Sequence, residues 1–315
     1  MSAMQCQILV LGIAVLLDLC LGEPPTVVHP VAWMGSAISF VRQRASKQGR
    51  LWPFLTGLLL MVVGIGGIVV GGILLLRVLG MLPQSVQILV SAMLLKTTFS
   101  IRGLLNAGRE VQSVLAAGDL PEARKRLSWH LVSRDTSSLN ESQVAAATIE
   151  SLTENTSDSI VAPLLAFAIA GLPGALVYRY INTCDAMLGY RDPEREWLGK
   201  FPARLDDLVN LIPARITAIL LIAAGSLMLH DPARAIYVWF RDRKLTASPN
   251  AGHPMSAAAG VLCVELEKVG HYRLGAGFRL PDSTDVSRVR RLLLLSTVLA
   301  CVSLIGLIIV VNGAH

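Results

Sequence analysis

Charge is scarce in this chain. Asp, Glu, Lys and Arg make up 16% of its 315 residues and aromatics 5%, while hydrophobic residues reach 53%. With a mean hydropathy of +0.57, that balance excludes an ordinary soluble enzyme. The cysteines, Cys6, Cys20, Cys184, Cys263 and Cys301, are odd in number and form no CxxC pair. They read as small hydrophobes, not as a disulfide framework or a zinc site. No GxxxxGK[ST] loop, GxGxxG turn, internal repeat or low-complexity tract is present, so a nucleotide site here must use another construction. Gly64, Gly66, Gly67, Gly71 and Gly72 crowd one apolar run, where small residues permit close helix packing.

What the chain has is long apolar segments, at roughly 6–22, 54–79, 84–101, 160–181, 208–229 and 292–311. Each is near the ~20 residues needed to cross a hydrocarbon core. The first carries Asp18 and lacks a charged leader and a cleavage-type flank, so it reads as a retained anchor. The fold class is all-α: a polytopic integral membrane helical bundle with cytoplasmic amphipathic helices and room for re-entrant segments. It is expected as one membrane domain over 1–315, with a cytoplasmic helical segment at 102–159 and a cytoplasmic loop region at 230–291.

Lys and Arg set the orientation. Segment 23–53 holds Arg42, Arg44, Lys47 and Arg50; segment 102–159 holds Arg102, Arg109, Arg124, Lys125, Arg126 and Arg134; segment 230–291 holds ten such residues. All three belong in the cytoplasm, with the N-terminus and the tail 312–315 outside. The net charge of +6 and pI of 9.3 then reflect loops beside anionic lipid; no aromatic-interleaved basic patch points to nucleic acid.

One parity problem follows. Segments 160–181 and 208–229 lie between two cytoplasmic stretches, so both cross or neither does. If both cross, loop 182–207 is extracytoplasmic despite its polar strings NTCD and RLDD. Pro163, the Leu172-Pro173-Gly174 break and Pro213 favour the other arrangement, in which both are re-entrant or buried in the bundle and the polar strings gather on one face.

Several polar constellations remain. Glu150, Glu154 and Asp158 stand at i, i+4 and i+8, so a helix would stack them along one stripe. A wet amphipathic face would also produce that pattern. In LGEPPTVVHPVAWMG, Glu23 or His29 could face a ligand, or the prolines could simply end a helix. Asp135 or Thr136 reads as an N-cap, while Arg134 could clamp a phosphate or carboxylate. Asn182 and Asp185 leave the fourth apolar segment; Arg204, Asp206, Asp207 and Asn210 enter the fifth, which also holds Pro213 and Arg215. Asp206 and Asn210 are i, i+4, so oxygen donors would share a helical face suited to Mg²⁺ with phosphates, or Asp207 could pair with Arg204 or Arg215. The string Ser248-Pro249-Asn250-Ala251-Gly252-His253-Pro254 offers turns and backbone amides to an anion.

Taken together, LLDLCLGEPP with HPVAWMG, then RDTSSLNESQV, IESLTENTSDSIVAPL, YRYINTCDAMLGYR, ARLDDLVNLIPARI and SPNAGHP resemble, in order and spacing, the CobD/CbiB family of cobalamin biosynthesis. The resemblance runs from about residue 8 to the region after 254. Ser159 stands where the family usually has Gly, and Glu23 where Asp is common. These departures touch loop detail.

The resemblance implies an adenosylcobinamide-phosphate synthase of the bacterial inner membrane. Such an enzyme uses ATP and Mg²⁺ to join the propionate of adenosylcobyric acid to (R)-1-amino-2-propanol or its O-phosphate. On that footing Glu154, Asp158, Asp185 and Asp206 are candidate Mg²⁺-phosphate ligands. Arg134, Arg204 and Arg215 would hold phosphate or propionate. Asp135, Asn155, Asn182, Asn210, Ser248 and Asn250 would contact ATP or the corrinoid amides, with Asp207 or Glu150 as base for the amine. The bilayer is a partner, and a homo-oligomer or membrane-bound pathway enzymes are further ones. The alternatives are a transporter of a polar solute and a non-catalytic scaffold of a corrinoid pathway.

Overall fold

The computed structural model describes residues 1–46, 49–190, 192 and 195–313. Lys47 of the basic segment and residues 314–315 of the tail lie outside them. The described chain is helical apart from one small hairpin. Five helices are long and apolar enough to cross a membrane, or up to six if a bent pair counts as one span. The chain divides into two compact units: 1–100, 162–209 and 304–315 form the first, 101–161 and 210–303 the second.

In the first unit, α1 (Ala3–Leu21), α2 (Pro30–Arg44), α3 (Leu51–Leu79) and α4 (Gln84–Lys96) are joined by α8 (Ala162–Leu188) and α9 (Glu196–Val209). α1 packs on α4, and α3 on α8 and α9. Ile38, Met61, Tyr180, Ile181, Leu188 and Leu198 fill the core. Leu59, Val63 and Val70 of α3 face outward, as a span surrounded by lipid requires. Of the clustered glycines, Gly64 and Gly72 do the packing: a methyl on Gly64 would overlap Tyr180, and one on Gly72 would meet Pro173 at 3.1 Å. Tyr180 also donates to Leu60 O at 2.9 Å. Gly66, Gly67 and Gly71 have open space.

The segment 160–181 is not one straight span. α8 breaks at Ala170 (φ −124°, ψ 16°) and Gly171 (φ 64°, ψ −162°). Gly171 takes the left-handed conformation open to glycine, and Pro173 brings no N–H to a continuing helix. Residues eight apart in an unbroken helix are about 12 Å apart; here a Cβ on Gly174 would lie 2.7 Å from Ala166 O. The chain folds back. Carbonyls freed at the break accept from the Gln7 side chain, Phe167 O at 3.0 Å and Ala168 O at 3.2 Å.

Levels along α3 fix which way the hairpin faces. Pro173 meets Gly72, Tyr180 meets Gly64, and Leu198 meets Gly57, so α8 returns antiparallel to α3 toward the start of α3. Arg42 of α2 and Arg195 at the head of α9 line one cavity. The end of α8 and the head of α9 therefore lie at the same end of α3 as α2, and the stretch expected as loop 182–207 is largely helix, with Asn182 and Asp185 on α8 and Arg204, Asp206 and Asp207 on α9.

The second unit holds α5 (Ile101–Ala116), α6 (Leu120–His130), α7 (Glu141–Thr156), α10 (Leu211–Leu227), α11 (Pro232–Asp242), α12 (Gly252–Leu262), the antiparallel hairpin β1 (Leu266–Lys268) and β2 (Tyr272–Leu274), and most of α13 (Ser283–Gly313). The region 230–291 is thus not a loop but a folded layer. α12 is buried along its whole length and packs on α10 and α11. Asp242 accepts from the Gly275 amide at 2.7 Å, and buried Asp285 takes Arg279 at 2.6 and 2.7 Å. Both carboxylates lock turns that the sequence alone left unstructured.

Candidate functional sites in the two units

In the first unit, α8 and α9 meet through polar side chains. Asn182 donates to Asp206 Oδ1 at 3.4 Å and accepts from Arg179 at 3.4 Å. Asp185 follows one turn later on α8. The expected face shared by Asp206 and Asn210 does not form, because α9 ends at Val209 and Asn210 sits at the break before α10. Pro213 explains this: a continuing helix would need its missing N–H to reach the carbonyl of Val209. Arg204 lies 3.8 Å from Asp207 with its side chain 75% exposed, a solvent-screened ion pair.

A second polar group of this unit was only half legible. Lys96 Nζ, on the apolar run of α4, stands 2.8 Å from Glu23 Oε2 and 3.7 Å from Asp18 Oδ1. His29 caps α2 by accepting the Val31 amide at Nδ1, which leaves its proton on Nε2, 3.1 Å from Glu23 Oε2. Burial works to raise the Glu23 carboxyl, but hydrogen bonds with Lys96, Ser100 and His29 hold it below the usual range. An apolar cavity of about 510 Å³ opens beside Glu23 and Lys96 between α1 and α4. Lys96 escaped the sequence analysis although an ionisable residue inside an apolar run is itself a signal.

In the second unit, the carboxylate stripe is only partly helical. Glu150 and Glu154 lie on α7, and Asp158 falls on the π-helical turn Ser157–Val161 that follows it. The wet-face explanation fails for Glu150, which is 5% exposed. Arg134 Nη2 is 3.9 Å from Glu150 Oε2, while Glu150 Oε1 is buried without a hydrogen-bond partner among the described residues. Tyr272 of β2 borders the same group: burial pushes its phenol up, and the Glu150 and Glu154 carboxylates add to the shift. Asn155 is held within its own helix, donating to Ser151 O at 2.9 Å. Asp135 caps Ser137, whose amide and hydroxyl hold its carboxyl below the usual range. It is exposed and does not join Glu150.

The same unit builds a cationic cradle at the start of α12. Arg215 donates to Asn250 Oδ1 at 3.3 Å and Leu211 O at 2.6 Å. Ser248 Oγ accepts the amides of Asn250 and Ala251 at 3.2 and 3.4 Å. Buried His253 accepts from Trp239 Nε1 at 3.0 Å, and burial, then Arg215 and Arg243, pushes its pKa from 6.5 down to about 4. The imidazole is neutral, and the positive field comes from the arginines. Arg243, His253 and Trp239 were not among the expected site residues.

Among the described residues, no group of three or more His, Cys, Asp or Glu side chains could hold a metal ion. Glu154, Asp158, Asp185 and Asp206 accordingly form no such group; magnesium bound with a phosphate needs only one or two carboxylates.

A family model described as CobD/Cbib protein matches residues 11–296. A "Probable cobalamin biosynthesis protein CobD" of Methanothermobacter thermautotrophicus is 43% identical over 269 residues, 85% of this chain and 87% of the relative. A "Cobalamin biosynthesis protein CobD" of Dehalococcoides mccartyi is 41% identical over 284 residues, 90% and 92% of the two chains. One of the same name from Citrobacter koseri is 36% identical over 314 residues, 96% and 98%. No solved structure matches.

Proposed function

Because the chain belongs to the CobD/CbiB family, we propose that it acts in cobalamin biosynthesis as an inner-membrane, ATP-dependent carbon–nitrogen ligase, an adenosylcobinamide-phosphate synthase. Its substrates are adenosylcobyric acid and (R)-1-amino-2-propanol or its O-phosphate. A carboxylate cannot acylate an amine directly, since oxide would have to leave. Attack of the propionate oxygen on a phosphorus of ATP expels ADP or pyrophosphate and gives a mixed anhydride. The amine nitrogen then attacks the acyl carbon, the anhydride C–O bond breaks, and phosphate or AMP departs as the amide forms.

The observation that carries this reading is the buried Glu150 carboxylate, paired on one side with Arg134 and with Oε1 left for another donor. Desolvating such an oxygen without a partner costs about 1–3 kcal/mol or more, which an incoming ammonium would offset. Glu150 is the base that takes the amine proton, Arg134 orients it, and the Tyr272 hydroxyl hydrogen-bonds the same carboxyl. The Arg215, Ser248 and Asn250 cradle binds the nucleotide phosphates, with charge supplied by Arg215 and Arg243.

The test is incubation of purified protein with adenosylcobyric acid, aminopropanol or its phosphate, ATP and Mg²⁺, with mass analysis of corrinoid and nucleotide products. Amide product with stoichiometric ADP or AMP is expected; no amide product from folded protein overturns the proposal. The broken α8 also suits a transporter. Solute flux into sealed proteoliposomes without ATP hydrolysis is the outcome that reading requires.

A further inference from the structure

A second cavity in the first unit shares no lining residue with these groups. It has a volume of about 350 Å³ and is lined by Ser39, Arg42, Gln43, Ser46, Arg195 and Leu198. Arg42 leaves the last turn of α2 and has no acidic partner among the described residues. Arg195 is held in place from two sides, by an ion pair with Asp192 and by stacking on the Tyr190 ring at 4.0 Å. Serine hydroxyls and a glutamine amide complete a donor-rich wall, with no carboxylate among the described lining residues. That is the chemistry of an oxyanion receptor.

Its rim sets the source of the anion. Arg50 immediately precedes α3, the 29-residue apolar helix, and exposed Leu51 and Trp52 begin it. Arg50 and Lys200 both stack on Trp197, at 5.2 and 4.0 Å, and Arg44 stacks on exposed Phe40 at 3.5 Å. Cations interleaved with outward aromatics at the first turn of a span mark the headgroup level of a bilayer. The geometry points to a binding site for the phosphate headgroup of an anionic phospholipid, seated between Arg42 and Arg195 with its acyl chains along the apolar start of α3. This site is independent of the ligase reading.

The test uses the full chain purified in mild detergent, presented with phosphatidylglycerol or phosphatidylcholine and read by native mass spectrometry. Preferential retention of phosphatidylglycerol is expected. Arg42→Gln should weaken it about tenfold, the worth of one charge-assisted contact, and Ser39→Phe, which fills the cavity without removing charge, should weaken it similarly. Arg77→Gln, at the other end of α3, should leave it unchanged. Equal retention of both lipids, or unchanged phosphatidylglycerol binding in Arg42→Gln and Ser39→Phe, overturns the proposal. So does displacement of the lipid by millimolar inorganic phosphate, which would assign the cavity to a soluble phosphate compound.

Discussion

Lys96 stands 2.8 Å from Glu23 and 3.7 Å from Asp18, and Asp18 is fully buried. Removing the cation leaves two carboxylates facing each other at the end of α1. Lys96→Met should therefore destabilise the protein by about 3–5 kcal/mol, the range for breaking a buried pair. Adding Asp18→Asn should restore part of that loss. Denaturant titration in detergent checks both.

Glu150→Gln keeps shape and volume but cannot accept a proton. Turnover should fall about 100-fold or more, the usual contribution of a positioned base, with an unchanged melting temperature. Retention of near-normal amide formation removes Glu150 from the chemistry.

His253 gives a pH dependence with a defined sign. Its folded pKa of about 4 lies below the 6.5 of the free side chain, so between those values the unfolded chain binds more protons. Stability contributed by neutral His253 is complete above 6.5 and declines as pH falls toward 4. Melting temperature measured over that range should drop in the wild type and drop less in His253→Asn, where no proton can be taken up.

Loop 182–207 is predicted to face the cytoplasm. Cys184 is fully buried and cannot report on this, but exposed Tyr190 can. In a cysteine-free background, Tyr190→Cys should react with a membrane-impermeant thiol reagent in inverted vesicles and not in intact cells. The reverse pattern contradicts the folded-back course of α8.

Gly64 admits the Tyr180 ring against α3. Gly64→Val should separate α3 from α8 and cost about 1–3 kcal/mol, as overpacking does. Gly66→Val, which meets open space, should be close to neutral. Thermal unfolding of the two variants compares them directly.

Composition and hydropathy made the helical membrane character legible, and α1, α3 and the apolar part of α13 follow the apolar runs within a few residues. The break in α8 was also readable, because Leu172-Pro173-Gly174 is a local chemical interruption. The structure of 230–291 was not: α12 is buried among α10 and α11 although its residues, five of the eleven alanine or glycine, show no periodic contrast that marks a packed face. Site residues followed the same division. Glu150 was visible from spacing, but its burial depends on Arg134 and Tyr272, which lie far from it in sequence. The π turn that carries Asp158 was not readable, because it leaves no sequence signal comparable to a proline. Asn210 was assigned to a helical face that Pro213, three residues on, abolishes.

The reversal at Ala170 and Gly171 also bears on how the protein is made. A hairpin that enters and leaves by one face asks the insertion machinery to carry no polar connection across the lipid. On that course the polar motifs at 182–185 and 204–207 need no transfer across the lipid, and Gln7 of α1, made earlier in the chain, meets the carbonyls of Phe167 and Ala168 at the tip.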